Sequence, residues 1–163
     1  MSETHSSYRK SDYADAYKMA GSNNWEALCQ LFRENPGHAA YKDSKYNHGL
    51  PLHRALLKLA SFDFIELLIE LYPQALNEPD DNGMKPLHYA CLYNYCMEKH
   101  FNTLRDDRDN TSWGYVLKLL IQKAPNVLKE TDSEGRTPLH LAASSAKTTP
   151  KALTLLLNVY PDA

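Results

Sequence analysis

Residues Asp132-Ser-Glu-Gly-Arg-Thr-Pro-Leu-His-Leu-Ala-Ala143 hold a turn, a helix start and an apolar helix face, and the arrangement occurs, with substitutions, twice earlier in the chain. Asp can bond its own backbone and Gly accepts positive φ, so Asp132 to Gly135 reads as a tight turn. Thr137 is placed to cap a helix, and Pro138 sits at its first position, where a fixed φ fits and the missing N–H costs nothing. The earlier copies are Asp80-Asp-Asn-Gly-Met-Lys-Pro-Leu-His-Tyr-Ala-Cys91 and Asn47-His-Gly-Leu-Pro-Leu-His-Arg-Ala55. Lys85 and Leu50 stand where the last copy has Thr137. A lost hydroxyl cap costs about 1 kcal/mol, so these two units are expected to be softer. Gly49 lies one residue nearer its proline than Gly83 or Gly135 does, which predicts a distorted hairpin.

Each copy is followed by a second amphipathic segment. Ser61 can cap one carrying Phe64, Ile65, Leu67, Leu68 and Leu71, which stops at Tyr72-Pro73. Val116, Leu117, Leu119 and Leu120 form the next, ending at Ala124-Pro125. Thr149 as cap and Pro150 in the first turn open a last one with Leu153, Leu155, Leu156 and Val159. Ahead of these lies another pair. Tyr13, Ala16, Tyr17 and Ala20 share one helical stripe, then Asn24 caps a helix with Trp25, Leu28, Leu31 and Phe32, ended by Pro36-Gly37. Pro-Leu-His begins at 51, 86 and 138, steps of 35 and 52, and the helix-ending prolines repeat the 52-residue step. One unit therefore carries an insertion of 17 residues relative to its neighbour, placed near 94–112 and read as loop in its polar second half. Residues 1–11 are polar and expected to be a flexible tail.

The pattern Asp-x-x-Gly-x-Thr-Pro-Leu-His-x-Ala-Ala, followed by a helix with paired leucines, resembles the ankyrin repeat, whose period is about 33 residues. The resemblance covers residues 12–161 and implies an all-α fold: an ankyrin-repeat solenoid of about four stacked helix-turn-helix units joined by β-hairpin-like loops. The units would span about 12–48, 49–82, 83–134 and 135–163 of a domain at 12–163, the first resembling a cap. No single unit buries enough apolar surface to stand alone, but a stack shares one elongated core. The resemblance further implies a scaffold that binds a partner protein on a concave face made of first helices, with hairpin tips as fingers. At the matching positions the fingers are Asp81, Asn82 and Met84, then Ser133, Glu134 and Arg136, with His48 a looser match. The palm is Leu57 and Lys58, Leu92 and Tyr93, Ser144 and Ser145. A second reading makes the chain a targeting or regulatory part of a larger ankyrin-repeat protein, with a binding, modification or weak metal site in the inserted loop.

Composition bounds the chemistry. The 163 residues are 43% hydrophobic and 23% charged with a net charge of −2, so no overall positive field gathers phosphates and nucleic acid is not an expected partner. No apolar segment suits a signal peptide or a membrane span. Three cysteines, an odd number, suit a reducing compartment, and a cytoplasmic location is expected, with the nucleus left open. A monomer is expected unless the last helix pairs through Leu155, Leu156 and Val159. His53, His88 and His140 occupy one place in the repeat, and the resemblance gives that histidine a structural role. His88, Cys91, Cys96 and His100 are zinc-type ligands, yet Cys91 and Cys96 would point about 140° apart on a continuous helix. Asp106-Asp-Arg-Asp109 lacks the glycine and terminal glutamate of an EF-hand loop. No phosphate-binding loop, nucleophile elbow or zinc-protease helix occurs, so the expectation is no enzyme, no metal and no cofactor.

Overall fold

A computed structural model describes residues 24–93, 113–144 and 150–159. The tail at 1–11, the helix expected around Tyr13 to Ala20, the insertion with Cys96 and His100, Ser145 and the Thr149 cap lie outside the described residues. Within them the chain is mostly helical. Seven α-helices occur: α1 (Trp25–Glu34), α2 (Pro51–Leu57), α3 (Phe62–Leu71), α4 (Pro86–Leu92), α5 (Trp113–Lys123), α6 (Pro138–Ser144) and α7 (Pro150–Val159). No strand is present among these residues, and one isolated antiparallel bridge joins Asp43 to Gly49.

Local sequence explains the helix ends. The Asn24 side chain accepts from the Ala27 N–H at 3.2 Å, and Glu26 and Arg33 sit at the ends of α1 where the helix dipole favours their charges. Ser61 caps α3 by accepting from the Phe64 N–H at 3.4 Å. The prolines read as helix stops do more than stop. Pro36, Pro73 and Pro125 each open a five-residue 3-10 turn, at Pro36–Ala40, Pro73–Asn77 and Pro125–Lys129. Each turn buries two residues: His38 and Ala39, Ala75 and Leu76, Val127 and Leu128. A proline cannot continue the preceding helix, but its φ starts the next turn.

The helices pack as two files. The short helices α2, α4 and α6 lie side by side in one file, and each packs against the longer helix that follows it, α3, α5 or α7. In the second file α1 lies against α3 and α5 against α7. Phe32 and Phe64 meet edge to face at 5.3 Å, and Trp25 stacks on Phe64 at 5.9 Å, tying α1 to α3. Leu52, Leu56, Leu87, Leu117, Leu120 and Leu141 are fully buried along the row, so the core runs continuously through the units. Each such side chain contributes roughly 1.5–3 kcal/mol relative to exposure. Tyr115 is 40% exposed on α5.

Candidate protein-binding face

Two hairpins are built alike from the aspartate outward. The Asp80 N–H donates to the Met84 carbonyl and the Asp132 N–H to the Arg136 carbonyl, both at 3.0 Å. Oδ1 of Asp80 accepts from the N–H groups of Asn82 and Met84 at 2.9 and 2.8 Å, and Oδ1 of Asp132 from those of Glu134 and Arg136 at 2.9 Å each. Gly83 and Gly135 close the turns at φ 71° and 77°. The hairpin ahead of α2 differs. It begins at Asp43, holds a 3-10 turn at Ser44–Tyr46, and takes positive φ at Asn47 and His48. The expected distortion is there, and its first residue is Asp43, four places before the Asn47 from which the repeat pattern was read. Backbone bonds then join the hairpins in series, from Asp81 N–H to Asn47 C=O at 2.8 Å and from Ser133 N–H to Asn82 C=O at 2.9 Å.

The repeated histidine links each short helix to the segment that leads into the next short helix. Nδ1 of His53 accepts from the Leu50 N–H at 3.1 Å, which leaves the proton on Nε2 to be donated to the Met84 carbonyl at 3.1 Å. His88 repeats this with the Lys85 N–H at 3.2 Å and the Glu130 carbonyl at 3.2 Å. Burial pushes His53 down to about 4, against the opposing pull of Asp80 and the Met84 carbonyl, and burial lowers His88 as well. Both rings are held neutral in one tautomer, which leaves no free nitrogen to act as a base or ligand. His140 bonds Thr137 through Nδ1 in the same way, but its ring is exposed.

The positions that lack a hydroxyl cap acquire other contacts. Leu50 is fully buried, and the Lys85 ammonium pairs with the Glu130 carboxylate, ahead of the following hairpin. Softness expected from the missing hydroxyls is thus opposed by burial in one unit and by an ion pair in the other. That pair, with an Asn126 hydrogen bond, holds the Glu130 carboxyl below its ordinary range, despite the opposing effect of burial.

Of the finger residues, Asp81, Asn82, Ser133 and Glu134 are exposed and Arg136 is half-buried, its guanidinium on Asp132 and Glu134 at 2.8 Å. His48 is exposed and bonded to Asp81 at 2.7 Å. Met84 is a correction: it is only 7% exposed, its side chain turned into the core while its carbonyl receives His53. It offers no contact surface. On the palm, Leu57, Leu92 and Tyr93 are half-buried, while Lys58 and Ser144 are exposed. Tyr89, one turn before Tyr93, lies tilted beside it at 5.9 Å, packs edge-on against His53 at 5.3 Å, and donates to Asp80 Oδ2 at 2.8 Å. Burial, then the Asp80 carboxylate, raises the Tyr89 hydroxyl above its ordinary range.

Among the described residues little else suggests chemistry. Burial raises the thiols of Cys29 and Cys91, so neither supplies a ready nucleophile. Among the described residues no group of three or more His, Cys, Asp or Glu is placed to hold a metal ion. No described helix is long and apolar enough to cross a membrane. A shallow cleft of about 210 Å³ between Phe62 of α3 and Tyr115, Lys118, Leu119 and Gln122 of α5 lies below the roughly 300 Å³ at which small-molecule pockets begin. No family model and no curated protein matches this chain.

Proposed function

We propose that the chain is an ankyrin-type repeat stack serving as a scaffold for a partner protein, which it engages through α2, α4, α6 and the hairpin tips. The observation that carries this reading is the pair of buried imidazoles, His53 and His88, each spanning from its own helix start to a carbonyl of the segment that leads into the next short helix. Together with the serial hairpin bonds, they hold the short helices and hairpins in fixed register. The outcome is a preorganised surface, and preorganisation lowers the ordering cost of binding. Half-buried Tyr93, Leu57 and Leu92 supply apolar area, and Asp81, Asn82, Ser133, Glu134 and Arg136 supply polar groups at the tips. No residue on this surface is assigned a catalytic role.

Affinity capture with the full chain, followed by calorimetry on the purified pair, tests the reading. Tyr93→Ala with Arg136→Glu is expected to weaken the complex at least tenfold, since aromatic and arginine anchors carry a disproportionate share of interface energy. Lys118→Glu on the opposite file is expected to leave it within twofold. The reverse pattern would move the site to the outer face.

A further inference from the structure

Three features repeat along the stack and stop at its last helix pair. The first is the histidine bridge. His53 and His88 are 1% and 0% exposed, and each donates through Nε2 to a backbone carbonyl, of Met84 at 3.1 Å and of Glu130 at 3.2 Å. His140 is exposed and meets no carbonyl among the described residues. The second is apolar. Ile69 and Ile121, four residues before Pro73 and Pro125, are each 4% exposed, while Leu157, four residues before Pro161, is 46% exposed. The third is the series of backbone bonds between hairpins. The Asn47 carbonyl accepts from the Asp81 N–H and the Asn82 carbonyl from the Ser133 N–H. Glu134 holds the place of Asn82 in the last hairpin, and its carbonyl receives no donor among the described residues.

Loose packing of the last pair does not explain the difference. Leu68, Leu120 and Leu156, five residues before their prolines, are each 1% exposed, so α7 is seated as α3 and α5 are. On the short helices, Leu56 and Cys91, three residues after their histidines, are 0% exposed, whereas Ala143 in the same place is exposed. The bare groups of α6 and α7 are thus the counterparts of groups that are buried in the two earlier pairs, where a further hairpin and helix pair follows.

We infer that the α6–α7 end of the stack docks a further hairpin and helix pair of the same kind, brought by a partner protein. The chemistry of that occupant is set by the junctions already made inside the chain: a hairpin N–H for the Glu134 carbonyl, a carbonyl ahead of a short helix for Nε2 of His140, and apolar side chains over Ala143 and Leu157. A plain apolar surface is a poorer occupant, because it would bury the His140 and Glu134 polar groups without partners. The inference goes beyond the palm reading, and palm variants that left a partner's affinity unchanged would not touch it.

The probe is the chain's own last pair, joined to the full chain. A second copy of residues 128–163 placed after Ala163 puts Pro161 in the place of Pro125 relative to the copy, and covalent joining keeps the effective concentration high. The extended chain is expected to gain helix by circular dichroism, and its urea midpoint to rise by roughly 1 M. His140→Ala and Leu157→Ser in the original pair should each lower the midpoint at least about threefold more in the extended chain than in the chain itself. Lys118→Ala, at an exposed site on α5, should act equally in both. An added copy that stays unfolded overturns the inference, since the same sequence folds against α4 and α5. A copy that folds without raising the midpoint, or without raising the cost of the two substitutions, overturns it as well. The unextended chain is expected to sediment as a monomer. A concentration-dependent dimer abolished by Leu157→Asp would make a second copy of this chain the occupant and overturn the partner inference.

Discussion

His53 and His140 begin from the same Pro-Leu-His and make the same Nδ1 bond to the residue before the proline, yet one ring is 1% exposed and the other lies open. The difference is the neighbour. His53 has a following hairpin whose Met84 carbonyl accepts its Nε2 proton, and no such carbonyl meets His140 among the described residues. A motif therefore sets the local turn, while the adjoining unit decides how much stability it provides. His53→Ala should be the most damaging single change of those considered. It leaves the Leu50 N–H without a partner in a dry interior, takes from the Met84 C=O one of its two donors, and opens a cavity, together costing about 3–5 kcal/mol. His140→Ala is expected to cost below about 1 kcal/mol. Urea unfolding of both variants compares them directly, and equal losses would remove the neighbour from the explanation.

Acid sharpens the same contrast. The unfolded chain takes up a proton on His53 near 6.5, whereas the folded chain does so only near 4, because burial disfavours the charged ring more than Asp80 and the Met84 carbonyl favour it. Stability from this ring is therefore complete above 6.5 and is lost as pH falls toward 4, by about 3 kcal/mol in all. His88, lowered for the same reason, adds to the loss. Between pH 6.5 and 5 the slope belongs mainly to these imidazoles, since Glu78, Glu130 and Asp132 are held below their ordinary values and lose their contributions further down. For Asp132, burial pushes upward but hydrogen bonds from Arg136 and Glu134 outweigh it. Denaturation midpoints at several pH values should fall steadily from 6.5 to 5, and His53→Gln should flatten that fall. An unchanged slope in the variant would assign it to other groups.

The two similar hairpins give a third comparison. A Cβ at Gly83 would stand 2.8 Å from the Ser133 backbone nitrogen, while at Gly135 it would meet nothing within 4 Å. Both positions have positive φ, so alanine is strained at each by about 1 kcal/mol. Only Gly83→Ala must also push back the next hairpin, and roughly 2–3 kcal/mol is expected there. Thermal melts of Gly83→Ala and Gly135→Ala should be separated by several degrees. Matching melts would mean that the hairpins are not held in series.

Much of the helical plan was legible because it depends on short-range chemistry. Pro-Leu-His fixes where α2, α4 and α6 begin, and apolar spacing fixes the buried faces of α1, α3 and α5. The proline turns were not legible as turns, since a proline that ends one helix and a proline that starts another look alike in sequence. Asp43 escaped notice because its hairpin is longer than the Asp80 and Asp132 versions, which moves the aspartate out of the expected offset. Met84 and Arg136 fill equivalent places with opposite results. Arginine can curl back onto Asp132 and Glu134 at the surface, whereas methionine has no such partner and turns inward. Contact surface at a repeat position thus depends on the side chain as much as on the position. The contacts of Tyr89 needed three dimensions, because the Asp80 and His53 that fix it come from the hairpin before it and from the neighbouring helix.

The smallest expected effect concerns Lys85, where the middle unit departs from the hydroxyl seen at Thr137. The Lys85 ammonium has little exposure, but the Glu130 carboxylate is 37% exposed, so solvent screens much of their attraction. A coupling of about 0.5–1 kcal/mol is expected from a double-mutant cycle of Lys85→Met and Glu130→Gln, diminishing at high salt. Lys85→Thr should be nearly neutral, because it gives up the pair and regains a hydroxyl that can cap α4. In Leu50→Thr the same hydroxyl would replace a fully buried apolar side chain, and a loss of about 1–3 kcal/mol is expected instead. Restoring threonine at both sites therefore separates two ways of doing without the cap. A gain of stability at position 50 would mean that Leu50 contributes less through burial than its hydroxyl-bearing counterpart does through capping.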